Sequence, residues 1–128
     1  MKDEFSKAAD RAQERGERSL ARRIRIEGRI ARAIVDAALA RGWSVSVFDC
    51  EEWTVKKSKV RKTIIQALFT TDDDTLCFFD AKGAKVGSMW LIYGNCGYDV
   101  VSDYSCSLED FYNEVVDPLA EKLEAQCV

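Results

Sequence analysis

The chain contains no histidine at all. That removes the commonest general base, the usual partner of a nucleophilic serine or cysteine, and the commonest transition-metal ligand. Most hydrolase and metalloenzyme chemistries are disfavoured at once. There is one proline, Pro118, and no proline-rich linker, internal repeat or low-complexity tract, so the 128 residues read as one continuous domain. No apolar run approaches the roughly 20 residues needed to span a bilayer, and no membrane helix is expected. GxxxxGK[ST], GxGxxG and a Ser/His/Asp set are all missing. The five cysteines, at 50, 77, 96, 106 and 127, show no CxxC or other metal-like spacing, and their odd number argues for free thiols. The chain opens Met1-Lys2-Asp3-Glu4, acidic where a secretory signal is basic and then apolar. These features predict a cytoplasmic protein with neither metal nor cofactor, and they make an enzyme the least expected class.

Charge, by contrast, is abundant and unevenly placed. Residues 1–41 carry eleven Lys/Arg and seven Asp/Glu, a balance of +4; residues 42–128 carry eight and fifteen, a balance of −7, and together these make the net charge of −3. After residue 69 there are three lysines and twelve acids, a balance of −9. Such asymmetry points to a charged partner surface or to two charged halves packed together.

The basic half holds the strongest periodic signal. Arginines stand at 11, 15, 18, 22, 25, 29 and 32, at alternating gaps of four and three, which on one helix places all seven on one side. Helix is expected from about residue 5 to residue 41, weak before Gly16, restarted at Ser19 and stopped at Gly42. Residues 1–18 are accordingly expected to form a partly independent helical extension. Leu20, Ile24, Ile30, Ala31, Ile34, Val35 and Ala38 share the opposite, core face, with Arg23 and Glu27 expected to pair at its edge. The ridge of Arg15, Arg18, Arg22, Arg25, Arg29 and Arg32 suits nucleic-acid phosphates, an acidic protein or a second copy of the chain. Its ordinary reading is a solvated helix face. An acidic sequence pI of 5.1 disfavours simple duplex binding.

Period-two alternation predicts strands at 43–49, 53–55, 75–80, 85–94 and 98–104, with a helix over 59–69 capped by Ser58 and presenting Val60, Ile64 and Leu68. The crowd of cations at the start of that helix calls for a compensating anion, because the helix N-terminus is already positive. Ser107 and Asp110 resemble a capping box for a last helix, which Asp117-Pro118 restarts or kinks. The expected class is therefore α+β: a long N-terminal helix, a mainly antiparallel sheet of about five strands in the order α-β-β-α-β-β-β-α, and a C-terminal helix.

Asp72, Asp73, Asp74, Asp80, Asp99, Asp103, Glu109 and Asp110 gather in turns and at the start of the last helix. Turn and cap chemistry accounts for such residues in ordinary cases. Their spacing matches no Ca²⁺ loop, but a row of carboxylates also suits a basic groove, in the manner of a nucleic-acid mimic. Tyr98 and Tyr104 are candidate interface anchors beside them, whereas Trp43, Trp53, Trp90, Phe48, Phe69, Phe78 and Phe79 are expected in the core. Cys96 sits in the turn Asn95-Cys96-Gly97, where neighbouring anions disfavour a thiolate nucleophile.

The stretch LFTTDDDTLCFFDAKGAKVGSMWLIYGNCGYDVVSDYSCSLE, residues 68–109, resembles small proteins of unknown function carried by bacteriophages and prophages. In these, STDEDYLLVY is followed by YGNDGWDVISDYT and an acidic helix. The similarity extends back through RRIRIEGRIARAIVDAALARGWSVSV and so covers about four fifths of the chain. Cys96 stands here where that family tends to have Asp. The resemblance implies a mobile-element setting, in which small acidic proteins often block a host defence complex. The expected function is that of a non-enzymatic interaction protein. Its partner would be a host protein or ribonucleoprotein, such as a CRISPR or other defence complex, bound through Asp72, Asp73, Asp74, Tyr98, Asp99 and Asp103. The alternative is a nucleic-acid-binding or self-associating module that uses the arginine ridge.

Overall fold

In the computed structural model, which describes residues 2–126, two helices precede a five-stranded antiparallel sheet and a segmented helix closes the chain. The long N-terminal helix expected from the arginine period is in fact two: α1 (Glu4–Glu14) and α2 (Arg18–Ala40). Gly16 makes the break. Its φ of +79° is a left-handed conformation that costs glycine little, and it lets the Gly16 N–H reach Gln13 O and the Glu17 N–H reach Ala12 O, which satisfies the last carbonyls of α1. The same pair of bonds at Gly42 and Trp43, onto Leu39 O and Ala38 O, ends α2 at the predicted stop.

α1 lies back along α2. The segment expected as a partly independent extension contributes Phe5, Ala9 and Ala12 to the core, all fully buried. Phe5 stacks on Phe69 at 4.8 Å between ring centres and meets Tyr93 edge-on at 5.5 Å. The two helices approach closely at Gly28, where a Cβ would lie 2.8 Å from Phe5 Cβ. Gly28→Ala is therefore expected to lower stability by about 1–2 kcal/mol: overpacking costs about 1–3 kcal/mol and outweighs the roughly 1 kcal/mol of helix propensity gained. A urea midpoint equal to or above that of the wild type would contradict this packing.

The strands are β1 (Ser44–Phe48), β2 (Trp53–Ser58), β3 (Asp73–Phe79), β4 (Lys85–Ile92) and β5 (Val101–Tyr104), in the spatial order β2-β1-β3-β4-β5. Val45, Val47, Leu76, Phe78, Met89 and Leu91 point to the helix side and are fully buried among Ile24, Ile30, Ile34, Ile64 and Leu68. The core side of α2 is as its periodicity predicts, and Arg23 and Glu27 pair at 3.4 Å.

α3 (Arg61–Gln66) is shorter than the expected 59–69. Ser58 ends β2 instead, its Oγ accepting from the Val60 N–H, and this leaves Val60 58% exposed. The anion called for by its basic start is Asp36 of α2, which binds Arg61 Nε at 2.5 Å. At the C-terminus the predicted capping box does not form, because the Ser107 hydroxyl donates to Val86 O. The chain passes through a 3-10 turn (Cys106–Leu108), α4 (Glu109–Phe111), a π turn (Tyr112–Val116) and α5 (Asp117–Ala125). The π turn runs directly into α5, a restart whose second residue, Pro118, has no N–H to continue an α ladder. Among the described residues, no helix is long and apolar enough to cross a membrane.

Candidate functional site: the uncovered face of the sheet

The helices cover one side of the sheet. On the other, pairing aligns Trp53, Phe48, Thr75, Trp90 and Asp103 in a single row across all five strands. A parallel row of small residues, Ser46, Cys77 and Ser88, lies beside it, followed by Ser44, Phe79 and Lys85. The face is thus a low trough between aromatic ridges. It holds one concavity of about 450 Å³ walled by Trp53, Lys56, Lys57 and Phe79. A second, of about 220 Å³, is bounded by Thr75, Ser88, Trp90, Asp103 and Tyr104.

Trp53 and Trp90, expected in the core, are 45% and 42% exposed and are the largest apolar groups given to solvent. Trp90 is nonetheless fixed. Its Nε1 donates to Asp73 Oδ2 at 2.8 Å, and the same oxygen accepts from the Cys50 thiol at 2.8 Å. These bonds hold the Asp73 carboxyl below the usual range, and the Cys50 thiol is pushed up to about 11 by donating to that carboxylate. Cys50 is therefore a protonated donor at neutral pH and no nucleophile.

The expected acidic set divides. Asp72 and Asp99 are exposed, although the Asp99 carboxylate is engaged by the Cys96 N–H in its turn. Asp103 is exposed on the uncovered face and Asp73 is half-buried against Trp90. Asp74 must be withdrawn from any surface, because its place in the strand turns it to the helix side, where it is fully buried. There it accepts from Tyr93 Oη at 2.6 Å and from the Phe69 N–H at 3.0 Å, while Oδ1 has no partner. Burial raises the Asp74 carboxyl above its usual range against the pull of both donors. Tyr98 and Tyr104 are half-buried against the core, and Tyr104 stacks on Tyr112 at 4.5 Å, so neither is the free anchor expected.

The turn that follows β4, residues 93–97, is a structural connector. Tyr93 holds Asp74, the Gly94 N–H donates to the buried Glu27 at 2.8 Å, and a Cβ on Gly97 would lie 3.1 Å from Ile26 Cγ2. Glu27, like Asp74, is raised by burial. Cys96 is exposed in the turn.

The arginine ridge is broken with its helix. Arg15 pairs with Glu17, Arg25 with Asp10 and Gln13, and Arg32 with Asp3 and Ser6. Arg18, Arg22 and Arg29 are exposed and carry no ion pair among the described residues. No group of three His, Cys, Asp or Glu side chains among the described residues is placed to hold a metal ion. The signal for the site lay in strand alternation: Trp90 alternates with the core residues Met89 and Leu91, and Trp53 follows a turn that opens an edge strand.

Fold and site together define a helix-backed antiparallel sheet with one free, aromatic and charged face. No known protein family, curated protein or solved structure matches the chain.

Proposed function

We propose that this chain is a non-enzymatic interaction protein of phage type that binds a host macromolecule through an acidic surface centred on Trp90. The observation that carries this reading is Trp90 itself. It is a large aromatic ring open to solvent, fixed by its bond to Asp73 and register-paired with Asp103. Rigid, exposed tryptophans make efficient interface anchors because little side-chain freedom is lost on contact. The carboxylates around it favour a basic groove, as on a host protein or ribonucleoprotein of the cytoplasm, and a CRISPR or other defence complex presents such a groove to nucleic acid. Neither a metal nor a cofactor enters the reading. The arginine ridge supports the nucleic-acid alternative less well than its spacing promised, since Arg15, Arg25 and Arg32 are neutralised within the fold.

Charge reversal of Asp72 to Asp74 together is unusable as a test, because Asp74 belongs to the core. Trp90→Ala and the pair Asp73→Lys/Asp103→Lys are the appropriate variants. Tagged wild-type protein is expected to retain a stoichiometric host complex from a bacterial lysate through nuclease treatment. Trp90→Ala should weaken capture by about 2 kcal/mol or more, roughly 30-fold. Equal capture by wild type and both variants would remove this surface from the account. Recovery of nucleic acid alone, lost steeply with salt, would favour the arginine ridge.

A further inference from the structure

The uncovered face changes sign along its strands. At the end with the β1–β2 turn it carries Asp73 and Asp103; at the other end it carries Lys56, Lys57 and Lys85. The basic end is built with care. A bulge sets three steps of β2, from Val55 to Ser58, against two of β1, from Val47 to Val45. Strict alternation from the buried Val55 would turn Lys57 to the helix side. The extra residue instead gives Lys57 a φ of +45°, lets its N–H donate to Ser46 Oγ at 2.8 Å, and sets its ammonium 4.5 Å over the Phe79 ring on the free face.

We propose that this face is the interface of a homodimer. Its twofold axis runs between two facing sheets, along the row Ser46, Cys77 and Ser88. An axis placed so reverses the strand direction while keeping strand over strand. It carries Asp73 and Asp103 of one copy towards Lys85 of the other. The small residues lie on the axis, where sheets must approach to about 10 Å. Trp53 and Trp90 are carried towards the Phe79 end of the second copy. A single-sign partner covering the whole face would meet repulsion over half of it, so a basic groove engages only the end that carries Asp73 and Asp103. A second copy meets opposite charge over both halves, which is the self-complementarity that an isologous interface requires. Because the dimer covers Trp90, a host complex seated there displaces the second copy. The dimer itself does not depend on the host reading, and its test contains no host component.

Sedimentation equilibrium of the full chain at micromolar and near-millimolar concentration is the experiment. The expected mass is about 29 kDa, twice the 14.5 kDa of one chain, falling towards one chain on dilution. Lys85→Glu and Asp73→Lys/Asp103→Lys reverse the two sides of the same contact and should each raise the dissociation constant at least tenfold, in line with like charges facing one another. Mixing the two variants should restore a one-to-one dimer. Circular dichroism confirms that each variant is folded, and Asp103→Lys alone replaces the double acidic variant if loss of the Asp73 bond to Trp90 unfolds the protein. A wild type that stays monomeric throughout, a dimer indifferent to both charge reversals, or folded variants that fail to recombine would overturn the proposal.

Discussion

Phe5→Ala is expected to destabilise the protein by about 3–5 kcal/mol, the usual cost of emptying a buried aromatic site. Against a typical total of about 5–15 kcal/mol for a domain, that is a large fraction from a residue five positions from the start of the sequence. Phe5 is fully buried, stacked on Phe69 and edge-on to Tyr93, with the Arg32 guanidinium 5.8 Å above its ring. The same arginine binds Asp3 in a two-pronged pair, from Nε at 2.7 Å and from Nη2 at 2.9 Å, and donates from Nη2 to Ser6 Oγ. Burial pushes the Asp3 carboxyl up, but Arg32 and the Ser6 N–H outweigh it and leave it below the usual range. Aromatic peg and ion pair thus fasten the same turn of α1. Loss of the ring should lower the urea midpoint and release the amides of α1 to rapid hydrogen exchange while those of β3 and β4 remain protected longest. A loss under about 1 kcal/mol would mean that α1 is an appendage, contrary to its packing.

At Asp74 two substitutions are expected to act in opposite directions. Asp74→Ala leaves the Tyr93 hydroxyl and the Phe69 N–H buried without an acceptor, at about 1–3 kcal/mol each. Asp74→Asn keeps an acceptor oxygen and removes the charge, so at neutral pH it should equal or exceed the wild type. The difference depends on pH. Burial raises Asp74, with Asp49 and Asp73 nearby adding to the rise, and burial also raises Glu27, with Asp99 adding and Arg23 opposing. A carboxyl raised on folding binds its proton more tightly in the native state, so its contribution is complete below the unfolded value and is lost as pH climbs through the folded one. Asp3, Asp49 and Asp73 are lowered, and their contribution is lost at the other end, on acidification below the ordinary carboxylate range. Wild-type stability should therefore decline from mildly acidic pH towards neutrality, and Asp74→Asn should flatten that decline. Urea midpoints collected across this range would decide it; parallel curves for the two proteins would show that Asp74 is ionised throughout.

Much of the fold was legible because local rules agreed with one another. The 3.6-residue period of α2 marks the side that carries Ile24, Ile30, Ile34 and Val35, and these are the residues at the centre of the core. Gly42 stops the helix where its left-handed conformation is needed. The site was less legible. β3 reads Leu76-Cys77-Phe78-Phe79, apolar on both faces, so alternation sorts its residues into two sets without saying which set the helices cover. Asp74 falls with Leu76 and Phe78, and for that reason a residue drawn from an acidic run lies in the core.

The arginine period was misleading for a related reason. Seven residues at helical spacing define a stripe only if the helix is unbroken, and at Gly16 the cost of turning is offset by burying Phe5, Ala9 and Ala12 against α2 and, for Phe5, against Phe69 and Tyr93 far along the chain. Composition, periodicity and turn residues determined the α+β class, the five strands and the separation of charge. Only the tertiary structure decided which face of the sheet is covered, which arginines meet a carboxylate and which tryptophans face water. Those choices depend on burial between segments distant in sequence, and a local pattern carries no term for them.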